Sequence, residues 1–265
     1  MDLGTLIGLG VAFGAIFLSA LLEAGHTGPA AMLRLLNLPA ALIVFGGTFG
    51  AVITCFKLKD FLSLPKYFGI ALSGSKLDVN ALIQDIVRYA EAARKEGLLK
   101  LEELLADVKN EFLKKGIQLV VDGTDPTLVR EILEIETGYM EERHHTVIQI
   151  FQQAGGFAPT MGIIGTVMGL VNVLANLSDA ANLGPAISTA FIATFYGIFT
   201  ANIIWLPIGN KLKNKSKEEV VARQITIEGI LSIQAGEHPR VISEKLMSFL
   251  PPSERKNNAD ARSEG

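Results

Sequence analysis

Four stretches of this 265-residue chain carry no charged side chain: Leu3 to Leu22, Leu35 to Phe56, Thr146 to Ser178 and Ala180 to Asn210. Each reaches the roughly 20 residues that a helix rising 1.5 Å per residue needs to cross about 30 Å of hydrocarbon. In lipid every backbone amide must be satisfied within the protein, and a single apolar run does this only as a helix. The predicted fold is therefore all-α with four transmembrane helices. Composition agrees, with 49% hydrophobic residues, 19% charged residues and a mean hydropathy of +0.36. The start Met1-Asp2-Leu3-Gly4 has no basic segment, and the first run is longer than the apolar core of a signal peptide. It is expected to remain in the protein as a span.

The charges lie elsewhere, and their placement sets the topology. Every one of the 24 Lys and Arg residues except Arg34 falls in Lys57 to Arg143 or in Lys211 to Arg262. The excess of basic residues in cytoplasmic loops then puts both segments inside, with the N- and C-termini cytoplasmic. Short outer connections are expected at Glu23 to Arg34 and around Asp179 to Gly184. The organisation read from this pattern is spans 1 and 2 over 1–56, a large cytoplasmic helical domain over 57–145, spans 3 and 4 over 146–210, cytoplasmic amphipathic helices over 211–250 and a disordered tail over 251–265.

Within the inner segments apolar residues recur at helical spacing, as in Leu82, Ile83, Ile86 and Val87, and again in Leu98, Leu101, Leu105 and Val108. Breaks are expected at Ser73-Gly74-Ser75, at Lys115-Gly116, at Asp122-Gly123-Thr124-Asp125-Pro126 and at Gly236 to Pro239. In the spans, small residues stand four apart at Gly4/Gly8, Gly10/Gly14, Gly46/Gly50 and Gly165/Gly169. Glycine is common in membrane helices, but this spacing also lets two helix backbones approach closely.

The sequence excludes several functions. A net charge of -3 and a pI near 5.9 give no footprint for nucleic acid. The single cysteine and 4 histidines offer neither a disulfide framework nor zinc-ligand spacing, so no cofactor is expected. The adjacent His144-His145 reads as interfacial polarity rather than a ligand pair. No catalytic motif is present, and Gly162 to Gly169 lies in an apolar run without a preceding strand, so it is not a phosphate loop. An enzyme is disfavoured.

Two features remain. The spans contain no charged residue, although an ion pathway normally needs one. They carry hydroxyls and amides instead, among them Thr48, Thr54, Thr160, Thr166, Asn172, Ser188, Thr189, Thr194, Thr200 and Asn202. Most are expected to bond their own backbone four residues back. If the protein conducts ions, the titrating acid must come from a partner. The second feature is the dense stretch Glu91 to Glu103, where Arg94 and Glu102 would lie about 80° apart on an unbroken helix. Its ordinary reading is a solvated helix face, and its functional reading is an electrostatic docking surface.

The order of Arg94-Lys95-Glu96-Gly97-Leu98-Leu99-Lys100-Leu101-Glu102, Phe157-Ala158-Pro159-Thr160 through Gly169, Ala193-Thr194-Phe195-Tyr196-Gly197 and Leu206-Pro207-Ile208-Gly209-Asn210-Lys211-Leu212 resembles the MotA/PomA/MotP family of flagellar stator proteins. The resemblance runs from about Met1 to Leu250. It implies a homopentameric ring in the bacterial inner membrane around a MotB/PomB-type single-span partner, whose aspartate binds the transported Na+ or H+. It implies further that Arg94, Lys95, Glu102 and Glu103 engage the rotor protein FliG, that Pro159 and Pro207 couple ion passage to movement, and that Thr166 and Thr194 face the ion path. Leu105 stands where some relatives carry a further acid, so the charge pattern here is thinner. Thr166 together with Tyr196 resembles the sodium-type pattern, which favours sodium with protons the alternative. Other readings are an ExbB/TolQ-like energiser, against which stand four spans in place of three, a stand-alone transporter and a structural membrane scaffold.

Overall fold

A computed structural model describes residues 2–24, 35–74, 78–108, 110–175, 177, 180–252 and 255, and these residues form helices and turns with no strand among them. The expected outer connection over Glu23 to Arg34 and the tail beyond Pro251 lie largely outside the described residues. Of the connection expected around Asp179 to Gly184, only Asp179 lies outside the described residues, and Ala180 to Gly184 are not a turn but the first residues of a helix. In chain order the helices are α1 (Leu3–Ala24), α2 (Leu38–Cys55), α3 (Leu58–Leu62), α4 (Leu64–Leu72), α5 (Val79–Glu96), α6 (Lys100–Leu104), α7 (Glu111–Val121), α8 (Pro126–Ala175), α9 (Ala180–Thr200), α10 (Leu206–Gln234) and α11 (Pro239–Met247). Each of the four charge-free runs lies in a helix long and apolar enough to cross a membrane.

The chain divides into two compact units. The first comprises Met1–Gly74 and His144–Asn214. Its core joins Val52, Ala154, Ala158, Ile208 and Leu212 to a ring cluster of Phe49, Phe68, Phe151 and Trp205, whose centroids lie 5.1 to 6.2 Å apart. Edge-on aromatic packing of this kind adds about 0.5–1.5 kcal/mol per pair beyond the area buried. The short helices α3 and α4 belong to this core through Phe61, Leu64, Phe68 and Ala71. Asp2 begins α1 by accepting from the Thr5 amide at 2.8 Å, and its carboxylate meets Lys211 at 2.6 Å. The Lys211 ammonium and the Thr5 donors hold the Asp2 carboxyl well below the usual carboxylate range.

Both α2 and the fourth span contain a widened π-turn, at Leu42–Gly46 and at Ala201–Trp205. The second has an identifiable cause. Pro207 stands two residues beyond its end, and a proline has no N–H to offer the Ile203 carbonyl four residues back, so the ladder loosens there.

The second unit comprises Ser75–Arg143 and Lys215–Gly265. Leu82, Ile83, Ile86, Leu113, Ile117, Leu133, Ile225, Ile230, Ile242 and Leu246 form its core. Start signals are explicit in side chains. Asp78 accepts from Ala81 at 3.0 Å to open α5, and Asn110 accepts from Phe112 and Leu113 to open α7. The expected break at Lys115-Gly116 does not occur, because α7 continues through it. Gly116 is buried there, and a Cβ on it would stand 2.1 Å from the Ile230 Cδ1. It is glycine to admit Ile230, and the sequence signal for a turn was in fact a signal for close packing. The break at Asp122-Gly123 is real, with Gly123 at φ 73° and Pro126 opening α8.

Candidate functional site

Within the first unit α8 and α9 run against each other so closely that side chains are nearly excluded from the seam. A Cβ on Gly169 would meet the Ala190 Cβ at 2.7 Å, one on Gly165 the Ala193 Cβ at 2.6 Å, and one on Gly162 the Ala193 carbonyl oxygen at 2.8 Å. One on Gly197 would meet the Ala158 carbonyl oxygen at 2.5 Å and the Pro159 Cα at 3.1 Å. The rising numbers on one helix pair with falling numbers on the other, as antiparallel neighbours require. Where lipid supplies no hydrophobic drive, such backbone approach is what holds two spans together. Sequence spacing flagged Gly165/Gly169 but missed Gly162 and Gly197, although Ala193 and Gly197 stand four apart in the same way.

Two hydroxyls sit inside this seam. Thr166 on α8 lies 3.1 Å from the Gly162 carbonyl, 3.0 Å from the Ala190 carbonyl of α9, and hydrogen-bonds the Thr194 hydroxyl. A hydroxyl has one proton, so Thr166 serves these oxygens one at a time, and either threonine can donate to the other. The structure thus brings together both expected ion-path residues. Most other span hydroxyls and amides bond their own helix. Thr54 reaches Gly50, Thr160 reaches Phe157, Thr200 reaches Tyr196 and Asn202 reaches Ile198. Thr48 is buried with its hydroxyl unpartnered.

Tyr196 is not brought to Thr166. Its hydroxyl donates to the Leu35 carbonyl and accepts from the Asn37 amide at 3.2 Å. Asn37 opens α2 by accepting from Ala40 at 3.0 Å and donates through Nδ2 to Thr189 at 2.8 Å. Tyr196 and Asn37 therefore fix the entry of α2 onto α9, a role sequence reasoning did not assign to Asn37.

The two expected coupling prolines are placed differently. Pro159 stands inside α8 and leaves the Gly155 carbonyl without its helical donor. Gly155 in turn packs on Leu206 and Trp205, where a Cβ would stand 2.5 Å from the Leu206 Cδ2. Pro207 is in the first turn of α10, next to that same pair. The turn that Pro159 loosens thus abuts the turn that precedes Pro207. Neither spacing nor composition pointed to this contact.

The charged stretch in the second unit is an elbow, not one helix. Gly97 has φ 86° and ψ 166°, a conformation essentially reserved to glycine, and it ends α5 after Glu96. Arg94 and Lys95 stand exposed in the last turn of α5, and Glu102 and Glu103 stand exposed in α6. Lys100 spans the elbow, meeting Glu96 at 3.2 Å and Glu103 at 2.8 Å, and the bonds to Glu103 and then Glu96 raise its pKa. Glu103 is therefore tied back, whereas among the described residues no salt bridge engages Arg94, Lys95 or Glu102. Lys100 was legible as a helix-face partner at three- and four-residue spacing, but its position across a bend was not.

Among the described residues no group of three or more His, Cys, Asp or Glu is placed to hold a metal ion. The seam offers hydroxyl and carbonyl oxygens without a carboxylate, and the elbow offers both signs of charge on an exposed rim. The profile of the MotA/TolQ/ExbB proton channel family matches residues 105–225. The chain is 40% identical over 261 residues to Motility protein A of Bacillus subtilis, covering 98% of this chain and 95% of that one. It is 36% identical over 260 residues to Chemotaxis protein PomA of Vibrio alginolyticus, covering 98% and 100%. The solved flagellar MotAB stator complex from Bacillus subtilis has a chain that aligns with a TM-score of 0.87 at 40% identity, covering 96% of this chain and 98% of that one.

Proposed function

Because the chain belongs to the MotA/PomA family of flagellar motor stator proteins, we propose that it is the ring-forming subunit of an ion-driven stator that turns the flagellar rotor. A MotB/PomB-type single-span partner supplies the membrane aspartate, five copies of this chain surround it, and the ion passes beside Thr166 and Thr194. The segments after the second and fourth spans face the cytoplasm, and Arg94, Lys95, Glu102 and Glu103 meet FliG. The observation that carries the reading is the α8–α9 seam, which places two hydroxyls and two carbonyl oxygens together and no carboxylate. Such a seam can ligand a cation held by another chain's acid but cannot bind and release a proton by itself.

Sodium is the favoured ion, since a hard cation that sheds part of its water needs replacement oxygens and the seam offers them. Protons are the alternative. Pro159 and Pro207 serve as the flexible points through which occupancy of the partner's aspartate moves the chain. In this reading the protein is not an enzyme. Ion flux into liposomes tests it. The chain alone should conduct no better than empty vesicles, and the complex with its Asp-bearing partner should conduct. Robust flux by the chain alone would overturn the assignment of the acid to a partner.

A further inference from the structure

The connector from the second span to the second unit has no role in the seam or the elbow, yet its placement is specific. It leaves α2 at Phe56, and at its far end the Leu72 carbonyl accepts from the Asp2 amide at 2.9 Å, just before α1. Asp2 also holds Lys211, the first residue after the fourth charge-free run, at 2.6 Å. Asp2 thus ties together the start of the first span, the end of the fourth and the far end of the connector, and α3 and α4 run from Phe56 to that junction. A segment so placed lies where hydrocarbon gives way to water.

Its two faces differ in chemistry. Inward, Phe61 packs on Phe49 at 5.7 Å and Phe68 packs on Phe151 at 5.1 Å. Outward, Leu58 and Leu62 stand one turn apart and are 56% and 66% exposed. Lys57, Lys59 and Lys66 are exposed around them, and Asp60 is the one acid in the connector. Among the described residues no salt bridge engages these three lysines, in contrast to Lys211. Exposed leucines flanked by ammonium groups on flexible stems suit a segment half sunk in the headgroup layer, where the leucines reach acyl chains and the lysines reach phosphate.

We propose that α3 and α4 form a binding surface for anionic phospholipid headgroups, with Lys57, Lys59 and Lys66 on the phosphate groups and Leu58 and Leu62 in the acyl boundary. The inference rests on the four spans lying in a bilayer and is independent of the ion and of the rotor contact. Each lysine near an anionic lipid surface is worth about a fivefold preference at low salt.

The test is the complex with its partner, reconstituted in phosphatidylcholine vesicles that contain a trace of spin-labelled phosphatidylglycerol or spin-labelled phosphatidylcholine. The fraction of each label immobilised at the protein is read by electron paramagnetic resonance. Phosphatidylglycerol should be favoured about fivefold or more, the preference should collapse when ionic strength is raised tenfold, and the triple variant Lys57→Gln, Lys59→Gln, Lys66→Gln should approach parity. Parity in the unaltered complex, or a preference untouched by the triple variant, would overturn the proposal. Should the triple variant fail to assemble, Lys66→Gln alone should lower the preference partway and the salt series should abolish it, and a preference untouched by either would overturn the proposal. Immobilisation of neither label would instead count against the membrane reading itself.

Discussion

The hydroxyls of Thr166 on α8 and Thr194 on α9 are hydrogen-bonded to each other across a seam where the two backbones nearly touch. Neither hydroxyl is there by default, since the neighbouring seam positions are Gly162, Gly165, Ala190 and Ala193. Thr166→Val keeps the shape and removes the oxygen. In a low-dielectric site one lost oxygen partner costs on the order of 1–3 kcal/mol, or about tenfold to hundredfold in apparent sodium affinity. The sodium dependence of swimming should therefore move to higher concentration without loss of assembly. Thr194→Val should act similarly, and the double variant should cost less than the sum because the two hydroxyls share one bond. An unshifted curve in both single variants would reduce Thr166 to a threonine bonded to the carbonyl of Gly162.

Gly197→Ala tests the closeness of the seam. The added methyl would meet the Ala158 carbonyl at 2.5 Å, and that atom is backbone, which cannot step aside as a flexible side chain would. Overpacking of this kind costs about 1–3 kcal/mol. Torque should fall sharply, with thermal stability of the complex reduced. Pro159→Ala, on the same contact but removing bulk, should leave stability near that of the unaltered chain and reduce torque. Equal torque in all three would detach the seam from the mechanism.

The elbow makes a separate prediction. Gly97→Ala forces a side chain into a glycine-only conformation at a cost of about 1–3 kcal/mol and should re-aim Arg94 against Glu102. Motility should drop as it does for the charge reversals Arg94→Glu and Glu102→Lys, whose exposed positions predict stability changes within about 0.5 kcal/mol. A complementary reversal on the rotor should rescue the charge variants but not Gly97→Ala. Normal swimming in both reversals would remove the elbow from the rotor contact.

What could be read beforehand was whatever depends on one segment at a time. The four spans follow from charge-free length alone, and the turns at Gly123 and Gly236 follow from glycine beside turn-forming residues, where φ is indeed 73° and 69°. Contacts between distant segments were not legible. Gly116 looked like a helix break because its reason, Ile230, lies far along the chain. Tyr196 looked like a companion of Thr166 because the two share a motif, while the structure commits its hydroxyl to Leu35 and Asn37. The break before Pro126 was legible, but the unbroken run of α8 from there into the third span was not, because charged and apolar helical segments join within it without a turn signal.

The central claim is that this chain drives the rotor with ion flow completed by a partner's acid. It is tested most directly by swimming speed against sodium concentration at fixed pH, in cells whose only stator is this chain with its MotB/PomB-type partner. The account predicts a speed that rises with sodium and saturates. Cells that assemble the complex and do not swim at any sodium concentration would contradict it, and a speed independent of sodium would contradict the choice of ion.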